Sequence, residues 1–280
     1  MRITVLRGIG HRAGVICKAL HSGITACGDE VQSLRSEFYS GGAENDGLAH
    51  YGLRGRTREA FIVYKKQKFA VYVDLGYWGR KEGGSYAGYH KIAVNSRHPD
   101  KYFRNRDMPS DRFDHFGLPI KPWKKDGKHI LVAGMGAKAA PIEGFKPSEW
   151  EEAAVKEIKR YTDRPIIYRP KPSWSDPIPI EGTRFSHRNQ SLEEVLENCW
   201  AVVSHHSNAC VDALMEGVPA FCYHGVAKPM GLQELALIEQ PLYPDDRQQW
   251  CANIAYTQWK VDEIQSGAMW RHLKDEGIIP

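Results

Sequence analysis

The chain has 280 residues, 42% of them hydrophobic and 26% charged, with a formal net charge of +4. That balance excludes a globally disordered polypeptide, and no run approaches the roughly 18 apolar residues of a membrane span. Two domains of roughly 120 to 150 residues are the natural organisation for this length. The opening "MRITVLRGIGHRAG" lacks the apolar core and small-residue cleavage site of a secretory signal, so a cytoplasmic location is expected. Cys17, Cys27, Cys199, Cys210, Cys222 and Cys251 form no C-x-x-C pair and sit mostly in apolar stretches, which predicts buried free thiols.

In chain order, "RITVL" predicts a strand, followed by Gly8, Gly10 and Gly14 leading into a helix, a G-x-G turn after a first strand. Two apolar runs, "AFIVY" and "KFAVYVDLGYW", come next. The second reads as a strand with Asp74 at its C-terminal end, the edge at which open α/β sheets bind ligands. Residues 95 to 128 read as a long excursion toward a domain boundary placed between residues 122 and 123. From Arg97 to Lys128 it holds nine Lys or Arg against five Asp, a net +4 equal to the excess of the whole chain.

Beyond Gly127 the pattern is regular. "HILVAG", "PIIYRPK", "AVVSH" and "PAFCY" predict strands, alternating with helices in "KPSEWEEAAVKEIKRYT", "SLEEVLENC" and "NACVDALMEG". Ser148 with Glu151, and Ser191 with Glu194, fit capping boxes. Such alternation implies a parallel, doubly wound sheet over a second domain of residues 123 to 280. Two helices broken near Asp262 and Gly267 close the chain.

Between "AVVSH" and "NACVDALMEG", the N–H groups of Ser207, Asn208 and Ala209 would be the unpaired first donors of a helix, a ready anion site. Asp212 follows as a candidate ribose acceptor, and Gly217 and Pro219 end the helix. On Ser207, Asn208, Asp212, Ala213, Leu214, Gly217 and Pro219, the segment resembles the donor-binding stretch of GT-B glycosyltransferases, particularly the capsular-polysaccharide and Kdo-transferase-like group. Asp212 stands where that group usually has Glu. The resemblance implies two Rossmann-like domains facing a cleft, with the final helix returning to the first. It also implies a nucleotide sugar as co-substrate, no other cofactor and no metal. In "YRPKPSW", Arg169 and Lys171 occupy the place of the family's diphosphate contacts. His205, His206 and His224 lie at the same sheet edge; for the first two, the alternation of side chains along a strand speaks against a shared ion.

Asp74, His11 and Asp46 are the candidate bases for the acceptor hydroxyl, in that order. Tyr77 and Trp78 are candidates for stacking on a sugar or a base. Arg104 and Arg106, among Tyr102, Phe103, Phe113 and Trp123, suggest a surface that tracks phosphates. "VDLGYWGRK" and "GYHKIAVNSRHP" resemble proteins of tailed-phage genomes. That likeness would make a hydroxymethylated pyrimidine in double-stranded DNA the acceptor, in the cytoplasm of the host. The other readings are transfer to a glycan, a nucleotide-sugar epimerase, and a non-catalytic nucleotide- or DNA-binding protein of the same fold.

Overall fold

A computed structural model describes residues 1–84, 86–99, 103, 106–187 and 190–280. The chain forms two compact units, Met1–Phe116 with Cys251–Pro280, and Gly117–Trp250. The first begins with β1 (Arg2–Arg7), α1 (His11–Ala26), β2 (Glu30–Arg35), β3 (Gly47–Tyr51), α2 (Arg56–Gln67), β4 (Phe69–Leu75), β5 (His90–Val94) and the short α3 (Asp111–Asp114). The second holds β6 (His129–Ala133), α4 (Glu149–Ile158), β7 (Ile166–Arg169), β8 (Arg184–Phe185), α5 (Leu192–Leu196), β9 (Cys199–Ser204), α6 (Ala209–Met215) and β10 (Ala220–Cys222). The boundary falls inside α7 (Arg247–Ala255), after which β11 (Gln258–Trp259), α8 (Val261–Gln265) and α9 (Ala268–Asp275) belong to the first unit.

The first sheet has the order β11-β5-β4-β3-β1-β2. β1 to β4 are parallel, while β5 and β11 join antiparallel. Because side chains alternate across a strand, Ile3 and Val5 enter one core with Ile16, Leu20, Val71 and Trp270. Leu6 enters the opposite one with Leu48, Tyr64 and Tyr72. Both faces are covered, which is why β4 is a nearly unbroken apolar run. "AFIVY" lies inside α2, where Ala60, Phe61 and Tyr64 supply the buried stripe.

The second sheet is wholly parallel, in the order β10-β9-β6-β7-β8. Its core gathers Ile130, Val132, Trp150, Ile158, Tyr168, Val203 and Phe221. The architecture is thus α/β, with a mainly parallel mixed sheet in the first unit and a parallel sheet in the second.

One local expectation holds and three change. Ser191 and Glu194 form their capping box, with Ser191 Oγ accepting the Glu194 N–H at 3.1 Å and Glu194 Oε2 accepting the Ser191 N–H at 2.7 Å. Ser148 instead adopts a left-handed backbone without capping, and Glu151 turns inward. The C-terminal segment breaks at β11 rather than near Asp262, because Gln258 and Trp259 pair with β5, whereas the break at Gly267 stands. Residues 251 to 280, counted above with the second domain, pack in the first, where Trp270 Nε1 donates to Asp29 Oδ2 at 2.7 Å.

Candidate functional site

In the second sheet the chain runs from β6 outward to β7 and β8, then returns to place β9 on the other side of β6. This reversal is a switch point, and the C-terminal ends of β6 and β9 flank the crevice where open α/β sheets take ligands. The candidate donor residues leave the sheet at that edge: Arg169 and Lys171 from β7, the 205–208 turn from β9, and His224 beyond β10.

The turn after β9 differs from the open anion site expected of it. Ser204 Oγ accepts the Ser207 N–H at 3.0 Å, and Ser207 Oγ accepts the Ala209 N–H at 3.2 Å. Two of the three N–H groups thought to be unpaired are therefore engaged inside the turn. The helix behind them, α6, has 7 residues, with Asp212 in its first turn. Gly217 ends it in the left-handed region at φ 78°, where a Cβ would lie 2.0 Å from the Pro122 carbonyl oxygen, so only glycine fits.

His205 and His206 lie beyond the end of β9 at Ser204, so strand alternation no longer separates them. Their Nδ1 atoms approach to 2.9 Å. His205 is buried, stacked with Tyr223 at an interplanar angle of 7° and met edge-on by Phe145 and Trp150. The His224 N–H donates to the His205 carbonyl at 2.8 Å. One ligand-type atom each from Glu143, His205 and His206 falls within 4.8 Å of the others. Arg169 ends β7 and donates from Nη1 to Ser186 Oγ at 3.2 Å and to the His187 carbonyl at 3.1 Å.

Two features of this edge escaped the sequence reading. Gly134, Met135 and Gly136 form a second G-x-G turn after a strand, the signal already noted at Gly8 and Gly10. A Cβ at Gly134 would meet Tyr168, Glu151 Oε1 and Pro170 at 3.2 to 3.3 Å. Below the turn, the buried Glu151 accepts the Met135 N–H at 2.6 Å, and burial raises its pKa above the usual carboxylate value.

In the first unit, Asp74 stands near the C-terminal end of β4. Its Oδ2 accepts the hydroxyl of Tyr72, two residues back on the same face, at 2.7 Å, and its Oδ1 accepts the Leu75 N–H at 2.9 Å. Lys91, its register partner on β5, places Nζ 4.0 Å from Oδ2. Burial, followed by the charge of Asp74, pushes the Tyr72 phenol well up, so it stays a donor. Beside them, burial lowers His90 to about 4, leaving a neutral ring whose Nδ1 lies 2.8 Å from the Gly88 carbonyl; this histidine was missed because nothing local to "GYHK" announces its burial.

His11 is the first residue of α1, its ring 4.9 Å from that of Tyr86. Arg7, His11, Lys18, His21 and Arg35 line a cavity of about 630 Å³ between α1, β1 and β2, whose lining contains no acidic residue. Asp46 lies at the opposite, N-terminal edge of the sheet, where its Oδ2 accepts the Arg2 N–H at 2.8 Å. About 20 Å of strand separates it from Asp74, and the two do not form one site.

The proposed acceptor contacts fare differently. Tyr77 and Trp78 are buried, and their N–H groups donate to Gln258 Oε1 at 2.7 and 3.2 Å. Trp78 packs on Phe113 and Phe116, so its ring is part of the core rather than a stacking platform. Arg106 pairs with Glu276. Arg112 grips both oxygens of Glu263 and lies 4.1 Å over Trp259. Phe103 and Phe113 are buried as well, which removes much of the interleaved basic and aromatic surface. Arg104 lies outside the described residues. Among the described residues, no helix is long and apolar enough to cross a membrane.

The sequence matches no protein-family model and no curated protein. Among solved structures, the chain is similar to the β-Kdo 2,7 transferase of Thermosulfurimonas dismutans KpsC, at 14% identity and a TM-score of 0.55 over 97% of this chain and 99% of that one. It is also similar to the β-Kdo 2,4 transferase of the same organism's KpsC, at 11% identity and a TM-score of 0.50 over 92% and 91%. What the chain shares with both is the GT-B fold.

Proposed function

We propose that the protein is a glycosyltransferase that moves a sugar from a nucleotide-sugar donor to the hydroxyl of a negatively charged acceptor. The observation that carries this reading is the grouping, at one switch-point edge of the second sheet, of the Gly134–Gly136 turn, Arg169, Lys171 and the 205–208 turn with Asp212 behind it. In this reading the backbone of the glycine turn approaches the diphosphate closely, as a side chain there would prevent. Arg169 and Lys171 offset the charge that develops on it as the glycosidic bond breaks, and Asp212 accepts from the ribose.

The acceptor belongs to the first unit. Asp74, held by Tyr72 and Leu75, takes the proton of the acceptor hydroxyl while that oxygen bonds to the anomeric carbon and the nucleoside diphosphate or monophosphate leaves. His11 is the second candidate for this proton. The cationic cavity between α1 and β2 favours an acceptor bearing carboxylates or phosphates, a description that fits an acidic glycan and also DNA carrying a hydroxymethylated pyrimidine. The inward engagement of Arg106 and Arg112 favours the glycan.

The test is a matrix of nucleotide sugars against three acceptors: an acidic oligosaccharide, its carboxyl-reduced counterpart and hydroxymethylated duplex DNA. Transfer products are read by mass spectrometry, and the configuration of the donor sugar by nuclear magnetic resonance. Transfer to the acidic oligosaccharide but not to its reduced form is the expected result. Transfer to DNA, falling steeply as salt rises, would favour the second acceptor. Epimerised donor formed with no acceptor present, or binding without any turnover, would overturn the transferase reading.

A further inference from the structure

The switch point of the second sheet also brings together three side chains to which the transfer reading gives no chemical role, two of them in the 205–208 turn itself. Glu143 follows the helical turn at Ala140–Ile142 in the segment after β6, and its N–H donates to the Ala140 carbonyl at 3.0 Å. His205 and His206 follow β9 on the other side of the crevice. One ligand atom from each of the three lies within 4.8 Å of the other two, and this is the only such group of three among the described residues.

We propose that Glu143, His205 and His206 form a binding site for a six-coordinate divalent transition-metal ion such as Mn²⁺. Two imidazole nitrogens bound at about 2.05 Å with a right angle between them stand about 2.9 Å apart. That is the separation of the two Nδ1 atoms. Tetrahedral ligands would stand about 3.3 Å apart, so the pair is set for adjacent positions of a six-coordinate ion, with the Glu143 carboxylate within 4.8 Å of both as the third ligand. Two imidazoles with one carboxylate suit a first-row transition metal, whereas Mg²⁺ and Ca²⁺ favour oxygen donors throughout.

The rest of the site is built to hold these groups. His205 is fixed by Tyr223, Trp150 and Phe145 around its ring, so its Nδ1 is aimed before any ion arrives. Glu143 and His206 are half-buried, so solvent can reach the remaining positions. On loading, the ring that carries the hydrogen shared between the two Nδ1 atoms gives it up and takes a proton on its own Nε2, so that it stays neutral and both Nδ1 lone pairs turn to the ion.

The inference does not depend on glycosyl transfer, and its test uses neither donor nor acceptor. Chelator-stripped protein is titrated with Mn²⁺ by calorimetry, with bound metal counted after dialysis. One ion per chain is expected, with affinity reduced about tenfold or more in Glu143→Gln and in His206→Ala. His115→Ala, which removes a surface histidine beside Glu82, should bind as wild type does. Circular dichroism confirms that each variant is folded; His205 is left intact because its ring is part of the packing. Absence of a stoichiometric ion, or wild-type affinity in either ligand variant, overturns the site.

Discussion

Asp29 and Trp270, 241 positions apart, are joined by a 2.7 Å hydrogen bond from the indole N–H to the carboxylate, which also receives the terminal ammonium and Lys274 at 2.8 and 2.9 Å. Burial alone would raise this carboxyl's pKa. The hydrogen bonds from Lys274, the terminal ammonium and Trp270 outweigh it and hold the group below its ordinary value. Its contribution is therefore whole above the unfolded pKa, about 3.9, and is lost as pH falls through the lower folded value. Asp29→Asn is expected to cost about 2 kcal/mol at pH 7. In urea titrations the gap from wild type should close in strong acid; a constant gap would contradict the assignment.

Glu151 carries the opposite sign. Its folded pKa is raised by burial, so the stability it confers is whole below the unfolded pKa and declines as pH rises through the folded one. Glu151→Gln keeps an oxygen to accept the Met135 N–H and removes the titration. The variant should gain on wild type from pH 4 to pH 8 in chemical denaturation, and equal slopes of stability against pH would refute the account.

Asp74→Asn tests the proton acceptor. Loss of a general base lowers kcat by about 10²- to 10⁴-fold with little change in donor KM. Asp46→Asn, at the other edge of the sheet, should leave turnover within about twofold, a range in which effects on chemistry are small. Comparable losses in both variants would point to destabilisation instead, which thermal melts would detect.

Gly23 is in the interior of α1, and a Cβ there would lie 1.9 Å from the Ile264 carbonyl oxygen of α8. On an open helix face, glycine to alanine stabilises by about 1 kcal/mol. Here the clash reverses the sign, and Gly23→Ala should destabilise by about 1–3 kcal/mol. A raised melting temperature would show that the two helices do not meet this closely.

Four strands of the second sheet were legible in the sequence because apolar strand runs alternate with periodic helices, whereas the two-residue β8, Arg184–Phe185, carries no such signal. What was hidden depends on distant partners or on a single residue of strand length. His205 and His206 converge because β9 stops at Ser204, and one more residue of strand would have parted them. Ser148 and Glu151 have the spacing of a cap, yet the carboxylate is drawn to the Met135 N–H in a turn contributed by another strand. For Tyr77 and Trp78 the sequence leaves a stacking role beside a core one, and the core role is decided by their burial and by Phe113 and Phe116, which come from a distant segment to pack on Trp78. Asp46 and Asp74 are separated by register, which no local pattern records.

The return of residues 251–280 to the first unit has a consequence for synthesis. The second unit is one uninterrupted stretch and can fold as soon as Trp250 has cleared the ribosome. The first cannot be completed then, because β11 at its sheet edge and the α8 and α9 contacts on α1 are still held inside the ribosome. The N-terminal segment must wait, its apolar surface partly uncovered, until the last residues emerge. A released fragment ending at residue 250 should therefore show a protease-resistant second unit beside a first one that is still open to cleavage.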